Sequence, residues 1–182
     1  MIFYDNPGVL TISLHQDHLF PLDSGALDEN GSGAGLGYHL NIPLPPGCGQ
    51  GAYLYAFDQV VLPALRRFAP QLIVLACGFD ACAVDPLGRM MLTAQSFRLL
   101  TRQLMRAADN LCTGRIVMTH EGGYSEMYVP YCGLAVLEEL SGRRTGVEDP
   151  WQADASCWGQ QGLQPHQRAA IDAAARLLEH LR

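Results

Sequence analysis

Two short stretches carry residues whose types and spacing suit chemistry at a metal ion or an acyl carbonyl. One is Gly78-Phe79-Asp80-Ala81-Cys82 with Asp85-Pro86-Leu87 behind it, and the other is Glu121-Gly122-Gly123-Tyr124. A carboxylate placed just after a glycine turn can point into a site and ligate a divalent cation. A tyrosine behind two glycines can carry its hydroxyl over the same site and donate to a developing oxyanion. Both motifs also have plain structural uses: an Asp at a strand end is a common turn former or helix cap, and Gly-Gly-Tyr serves as a turn with a packing aromatic. Neither marks an enzyme alone.

Both motifs follow apolar runs that read as strands, residues 72–77 and 115–119, and a third run covers 9–14. A shorter candidate, 39–42, is closed by Pro43 and the turn-rich Pro45-Pro46-Gly47. The runs lack strict alternation, which predicts parallel strands covered on both faces by helices. Ligands in such sheets gather beyond the carboxyl ends of the strands, where the two motifs lie. Helical periodicity predicts four helices. Residues 52–68 carry Leu54, Phe57, Val61, Ala64, Leu65 and Phe68 on one stripe, with a kink expected at Pro63. Residues 94–112 carry Phe97, Leu100, Leu104, Ala107, Ala108 and Leu111, with Thr93 as the N-cap. Residues 126–140 stop at Gly142, and an alanine-rich helix covers about 165–181. The order of elements predicts an α/β fold with a parallel sheet flanked by helices. Residues 15–38 form a Gly-, Asp- and Ser-rich connection longer than packing needs, as functional or mobile loops do. Residues 143–182 read as a polar connector and a C-terminal helix behind a main unit of 1–142, with no internal repeat.

The 182 residues are 48% apolar with a net charge of −6, enough for one domain with a core. Nucleic-acid binding would need clustered Lys and Arg, and the charge argues against it. No stretch approaches the roughly 20 apolar residues that span a bilayer. The opening Met1-Ile2-Phe3-Tyr4-Asp5-Asn6-Pro7 lacks the basic and apolar regions of a signal peptide. Cys48, Cys77, Cys82, Cys112, Cys132 and Cys157 include no CxxC pair, which excludes a zinc ribbon and predicts free thiols in a reducing cytoplasm. No Gly-x-Ser-x-Gly elbow or paired-metal Asp-x-His-x-Asp motif is present, which removes support for a serine hydrolase or an arginase-like enzyme.

Taken together and in order, several segments resemble the histone-deacetylase-like amidohydrolases, particularly the bacterial class II members. These are Phe3-Tyr4-Asp5-Asn6-Pro7-Gly8-Val9 running on to His15, then Phe20-Pro21 with Ser24-Gly25, then Asn41-Ile42-Pro43-Leu44-Pro45-Pro46-Gly47. Gly78-Phe79-Asp80-Ala81, Asp85-Pro86-Leu87 and Glu121-Gly122-Gly123-Tyr124 complete the series, so the resemblance runs to about residue 142. It implies an arginase/deacetylase-like fold and an open zinc site with Asp, His and Asp ligands, water and the substrate carbonyl. By motif, Asp80 is similar to the second Asp ligand and Tyr124 to the tyrosine that stabilises the oxyanion. Phe20 and Leu87 would line the acyl-lysine channel, and Gly122 and Gly123 would leave room for substrate. Potassium is implied at Ser13 and Leu14, and at a second site formed by the carbonyls of Phe3, Asn6, Val9 and Tyr38.

The first Asp ligand, the His ligand and the family's histidine pair have no matching motif in this sequence. His15, His18, His39, His120, His166 and His180 sit where the family places no ligand. The expectation is therefore a C-terminal half of the domain, its fold incomplete and inactive alone, from a truncated or mis-started reading frame or completed by another polypeptide or by oligomerisation. The missing strands would leave apolar sheet edges bare and open to pairing. The implied substrate is acetyl-lysine or another acetylated amine. The competing reading is a non-catalytic remnant that binds a partner.

Overall fold

The chain is described by a computed structural model that covers residues 2–158 and 160–181; positions 1 and 182, the outer limits of the two segments read from sequence, lie outside it. Strand β1 (Thr11–Gln16) pairs in parallel with β2 (His39–Leu44), Thr11 opposite His39 and Gln16 opposite Leu44. Strand β3 (Ile73–Cys77) pairs in parallel with β4 (Ile116–His120), Ile73 opposite Ile116 and Cys77 opposite His120. The expected strands exist and are parallel, but among the described residues they form two separate two-stranded sheets.

The parallel strands are flanked by helices as expected, but the β3–β4 pair carries them on one face only. Ile73, Leu75 and Cys77 pack into the main core, while Val74 and Val117 on the opposite face are 64% and 50% exposed. Side chains alternate across a strand, so this exposure shows one helical layer and one bare face. The apolar runs carry residues for two buried faces, and the described helices cover only one.

Helix boundaries follow local chemistry. Helix α1 (Gln50–Ala56) passes through a π-helical stretch, Phe57–Val61, into α2 (Leu62–Phe68). Pro63 has no N–H to close an ordinary turn, so the expected kink is taken up as a π-bulge one residue ahead of α2. Helix α3 (Ala94–Cys112) starts at a reciprocal cap, the Thr93 side chain accepting from the Ser96 amide and Ser96 Oγ from the Thr93 amide. Helix α4 (Val129–Ser141) begins three residues later than periodicity suggested and ends at Gly142, φ +67°. A short α5 (Gln152–Cys157) precedes α6 (Pro165–Arg176), which packs on β2 and α1. Ile171 and Ala174 of α6 join the main core, so the tail is part of the same packed unit. Strand β2 runs through Pro43, because β1 bonds to the flanking residues and the missing N–H of Pro43 faces the outer edge. No described helix is long and apolar enough to cross a membrane, and all six cysteines are free thiols.

Candidate active site at the carboxyl ends of β3 and β4

Because β3 and β4 are parallel neighbours, the segments leaving Cys77 and His120 emerge side by side. They are stitched together at once. The Glu121 amide donates to the Cys77 carbonyl at 3.1 Å and the Phe79 amide to the Gly122 carbonyl at 2.7 Å. The Asp80 carboxylate lies between glycine backbones. A Cβ on Gly122 would sit 2.4 Å from Asp80 Oδ2, and one on Gly78 would sit 2.7 Å from Oδ1. Only glycine leaves the carboxylate that space. Gly123 adopts φ +133°, and a Cβ there would meet the Phe79 Cβ at 2.9 Å and Val129 Cγ2 at 3.0 Å.

The tie that sequence reasoning missed is Asp85. It is 7% exposed, and its Oδ1 accepts from the amides of Leu87 (2.8 Å) and Gly88 (2.9 Å). Its Oδ2 accepts from the amide of Tyr124 at 2.8 Å. One carboxylate therefore closes its own turn and anchors the backbone of Tyr124, 39 residues on. The sequence signal was the Asp-Pro pair, which marks a turn but says nothing about a distant donor.

Tyr124 is 54% exposed and Leu87 58%, so both stand on the rim. Burial pushes the Asp80 carboxyl above its ordinary range, and the negative charge of Asp85 adds to this against two backbone hydrogen bonds that oppose it. The phenol of Tyr53, buried near Asp80, is also pushed up by burial and stays a proton donor.

Phe20 stands almost fully exposed on the 17–38 connection. That connection is pinned from beneath. His15 bonds through Nδ1 with Ser13 Oγ at 2.9 Å and through Nε2 with the Gly25 carbonyl at 3.1 Å, and Asn41 Nδ2 donates to the carbonyls of Ala26 and Glu29. The Arg89 amide donates to Gln16 Oε1 at 2.8 Å, bringing the end of β1 to the turn behind Leu87. His15 thus serves as a loop clamp. His120 stacks on Phe79 at 5.1 Å, and His39 bonds to Thr11 and packs edge-on against Tyr4.

The metal assignments divide. No group of three or more His, Cys, Asp or Glu among the described residues could hold a metal ion, so the Asp80 carboxylate is a single candidate donor and the described donor set does not close a site. Ser13 and Leu14 line the same groove as Asp80, as do Phe3 and Val9. The carbonyls of Phe3, Asn6 and Tyr38 each accept a backbone amide.

Known proteins resemble this chain over most of its length. The histone deacetylase domain model matches residues 1–140. The chain is 56% identical over 149 residues to a histone deacetylase-like amidohydrolase of Pseudomonas aeruginosa, covering 82% of this chain and 39% of that protein. It is 43% identical over 141 residues to histone deacetylase 8 of Arabidopsis thaliana, covering 75% of this chain and 37% of the relative. Among solved structures, the histone deacetylase Clr3 superposes with a TM-score of 0.82 at 31% identity, over 99% of this chain and 29% of that one. The chain thus spans about two fifths of the length of these two curated relatives.

Proposed function

The chain belongs to the histone deacetylase domain family, and from that premise we propose that it is the oxyanion-side portion of a zinc-dependent deacylase acting on acetyl-lysine or a related acyl amide. The observation that carries this reading is the interlocked pair of loops, Asp80 held between glycines and Tyr124 anchored by Asp85 at adjacent strand ends.

In this reading Asp80 is one metal-ligating carboxylate, and its glycine cradle fixes where the donor oxygens lie. Tyr124 donates its phenolic hydrogen to the oxygen of the scissile carbonyl as negative charge develops there. Gly122 and Gly123 keep the floor thin enough for substrate, and Phe20 and Leu87 flank the entrance. A bound zinc ion supplies carbonyl polarisation and a more acidic water. Ser13 and Leu14, and the carbonyls of Phe3, Asn6, Val9 and Tyr38, are the proposed potassium donors. The free thiols favour a reducing compartment, the cytoplasm, and the acidic balance leaves nucleic acid out as a direct partner.

One carboxylate does not hold zinc tightly, so the 182 residues by themselves are expected to give no turnover. The test restores the rest of the domain: this chain replaces the matched stretch of the Pseudomonas relative, and the folded chimera is assayed on an acetyl-lysine substrate. Zinc-dependent turnover is expected, with Tyr124→Phe lowering kcat by about 10²–10³-fold and Asp80→Asn abolishing zinc retention. A folded, zinc-loaded chimera without turnover, or one indifferent to Tyr124→Phe, refutes the assignment. A second reading, a non-catalytic partner-binding remnant, draws on the open groove between β1 and β3.

A further inference from the structure

Helix α3 carries arginines on two flanks, and their surroundings differ. On the flank facing α4, Arg98 pairs with Glu138 and Arg102 with Glu139, each at 2.7 Å. On the opposite flank Gln103, Arg106 and Asn110 recur at the three- and four-residue spacing of one helix face. They meet Leu62 and Arg66, one turn apart at the start of α2, across a cavity of about 360 Å³ between the two helices. Leu111 adds a second apolar wall. The cavity lies along the C-terminal half of α3, which leads into the amino end of β4, whereas Asp80 and Tyr124 stand beyond the carboxyl ends of the strands. It is therefore separate from the candidate active site.

Among the described residues no acidic side chain lines this cavity, and neither Arg66 nor Arg106 has an ion pair or a side-chain hydrogen bond. In a chain of net charge −6, two guanidiniums without a counter-charge on facing helices ask for a partner. Gln103 adds an independent sign. Its Oε1 is buried with no hydrogen-bond partner, so the amide presents its Nε2 donor side to the cavity that the residue lines. A buried oxygen left that way costs free energy, and an acceptor meeting the N–H offsets it. The α2 side is set by the π-helical stretch Phe57–Val61, since the Leu62 amide bonds to the Phe57 carbonyl five residues back. Such bulges recur at functional sites, where the inserted residue re-aims the side chains that follow.

We propose that the cavity between α2 and α3 is a binding site for a small organic phosphate, a phosphomonoester with an apolar body, gripped by Arg66 from one helix and Arg106 from the other. The double negative charge of the phosphate matches the two guanidiniums, whose N–H forks fit its oxygens in pairs. Gln103 and Asn110 donate amide N–H groups to the remaining oxygens. The apolar body lies against Leu62 and Leu111. This inference rests on the helix flanks and not on the deacylase reading.

The test titrates phenyl phosphate into the 182-residue chain, and into the chimera with the Pseudomonas relative, by isothermal calorimetry. One site per chain is expected, weakened about tenfold or more by Arg66→Gln and by Arg106→Gln, and weakened by added salt. Both positions are exposed, so thermal melts should show the variants folded as the parent is. Arg143→Gln, at an exposed arginine outside the cavity, should leave binding unchanged. No binding to either protein, or binding indifferent to both cavity substitutions, would overturn the proposal. So would inorganic phosphate binding as tightly as phenyl phosphate, which leaves the apolar walls without a role, or benzoate doing so, which leaves the second guanidinium without one. Binding at this site in a chimera that shows no turnover would uphold it and count against the deacylase reading.

Discussion

Asp85 gives the sharpest test of how the site is held. Its carboxylate accepts three backbone amides, two inside its own turn and one from Tyr124. Hydrogen bonds to a charged group contribute about 1.5–3 kcal/mol each. The amides of Leu87 and Tyr124 belong to exposed residues and regain water once released, whereas Gly88 is buried and its amide is left without a partner. Asp85→Ala should therefore cost about 3–5 kcal/mol rather than the full sum. Asp85→Asn can keep the side-chain oxygen on Leu87 and Gly88 and turn its amide toward Tyr124, where donor meets donor. The expected loss is about 1–2 kcal/mol, concentrated at the Tyr124 tie. Urea denaturation of both variants gives the two energies, and hydrogen exchange locates them. Asp85→Asn should speed exchange at Tyr124 while leaving Gly88 protected. Equal destabilisation by the two substitutions, or unchanged exchange at Tyr124, would show that the carboxylate does not anchor the loop.

Other outcomes follow from the same geometry. Burial raises the folded pKa of Asp80, so the folded state holds that proton more tightly than the unfolded chain, and stability falls as pH rises through the interval between the two values. Asp80→Asn should therefore raise the Tm of the metal-free chain at pH 7; a lowered Tm would contradict it. Gly123→Ala places a methyl 2.9 Å from the Phe79 Cβ at φ +133°, and a loss of about 2–3 kcal/mol in denaturant titration is expected. Glu138 is held down to about 2 by its hydrogen bonds from Thr145 and by Arg98, and Glu139 to about 2 by Arg102. Depressed carboxyls stabilise above the unfolded value of 4.5 and lose that contribution as pH falls toward 2. Glu138→Gln should flatten the stability loss across that window, measured by thermal melts at a series of pH values.

The family resemblance, the parallel strands and the limits of α3 were legible in the sequence because their causes are local. Thr93 and Ser96 are three residues apart and cap each other wherever the chain places them. Gly142 stops α4 by its own positive φ. The two chemical motifs were legible as well, since each follows directly on a strand. What joins them was not. Nothing near Asp85 announces a donor at Tyr124, and nothing near His15 or Asn41 announces that they hold the loop carrying Phe20. Those partners lie 10 to 39 residues apart and meet only after the strands have paired. The bare face of β3 and β4 and the separation of β1 from β3 were hidden for the same reason. An apolar run records how many faces a strand is built to bury, whereas which faces are covered depends on what packs against them in three dimensions.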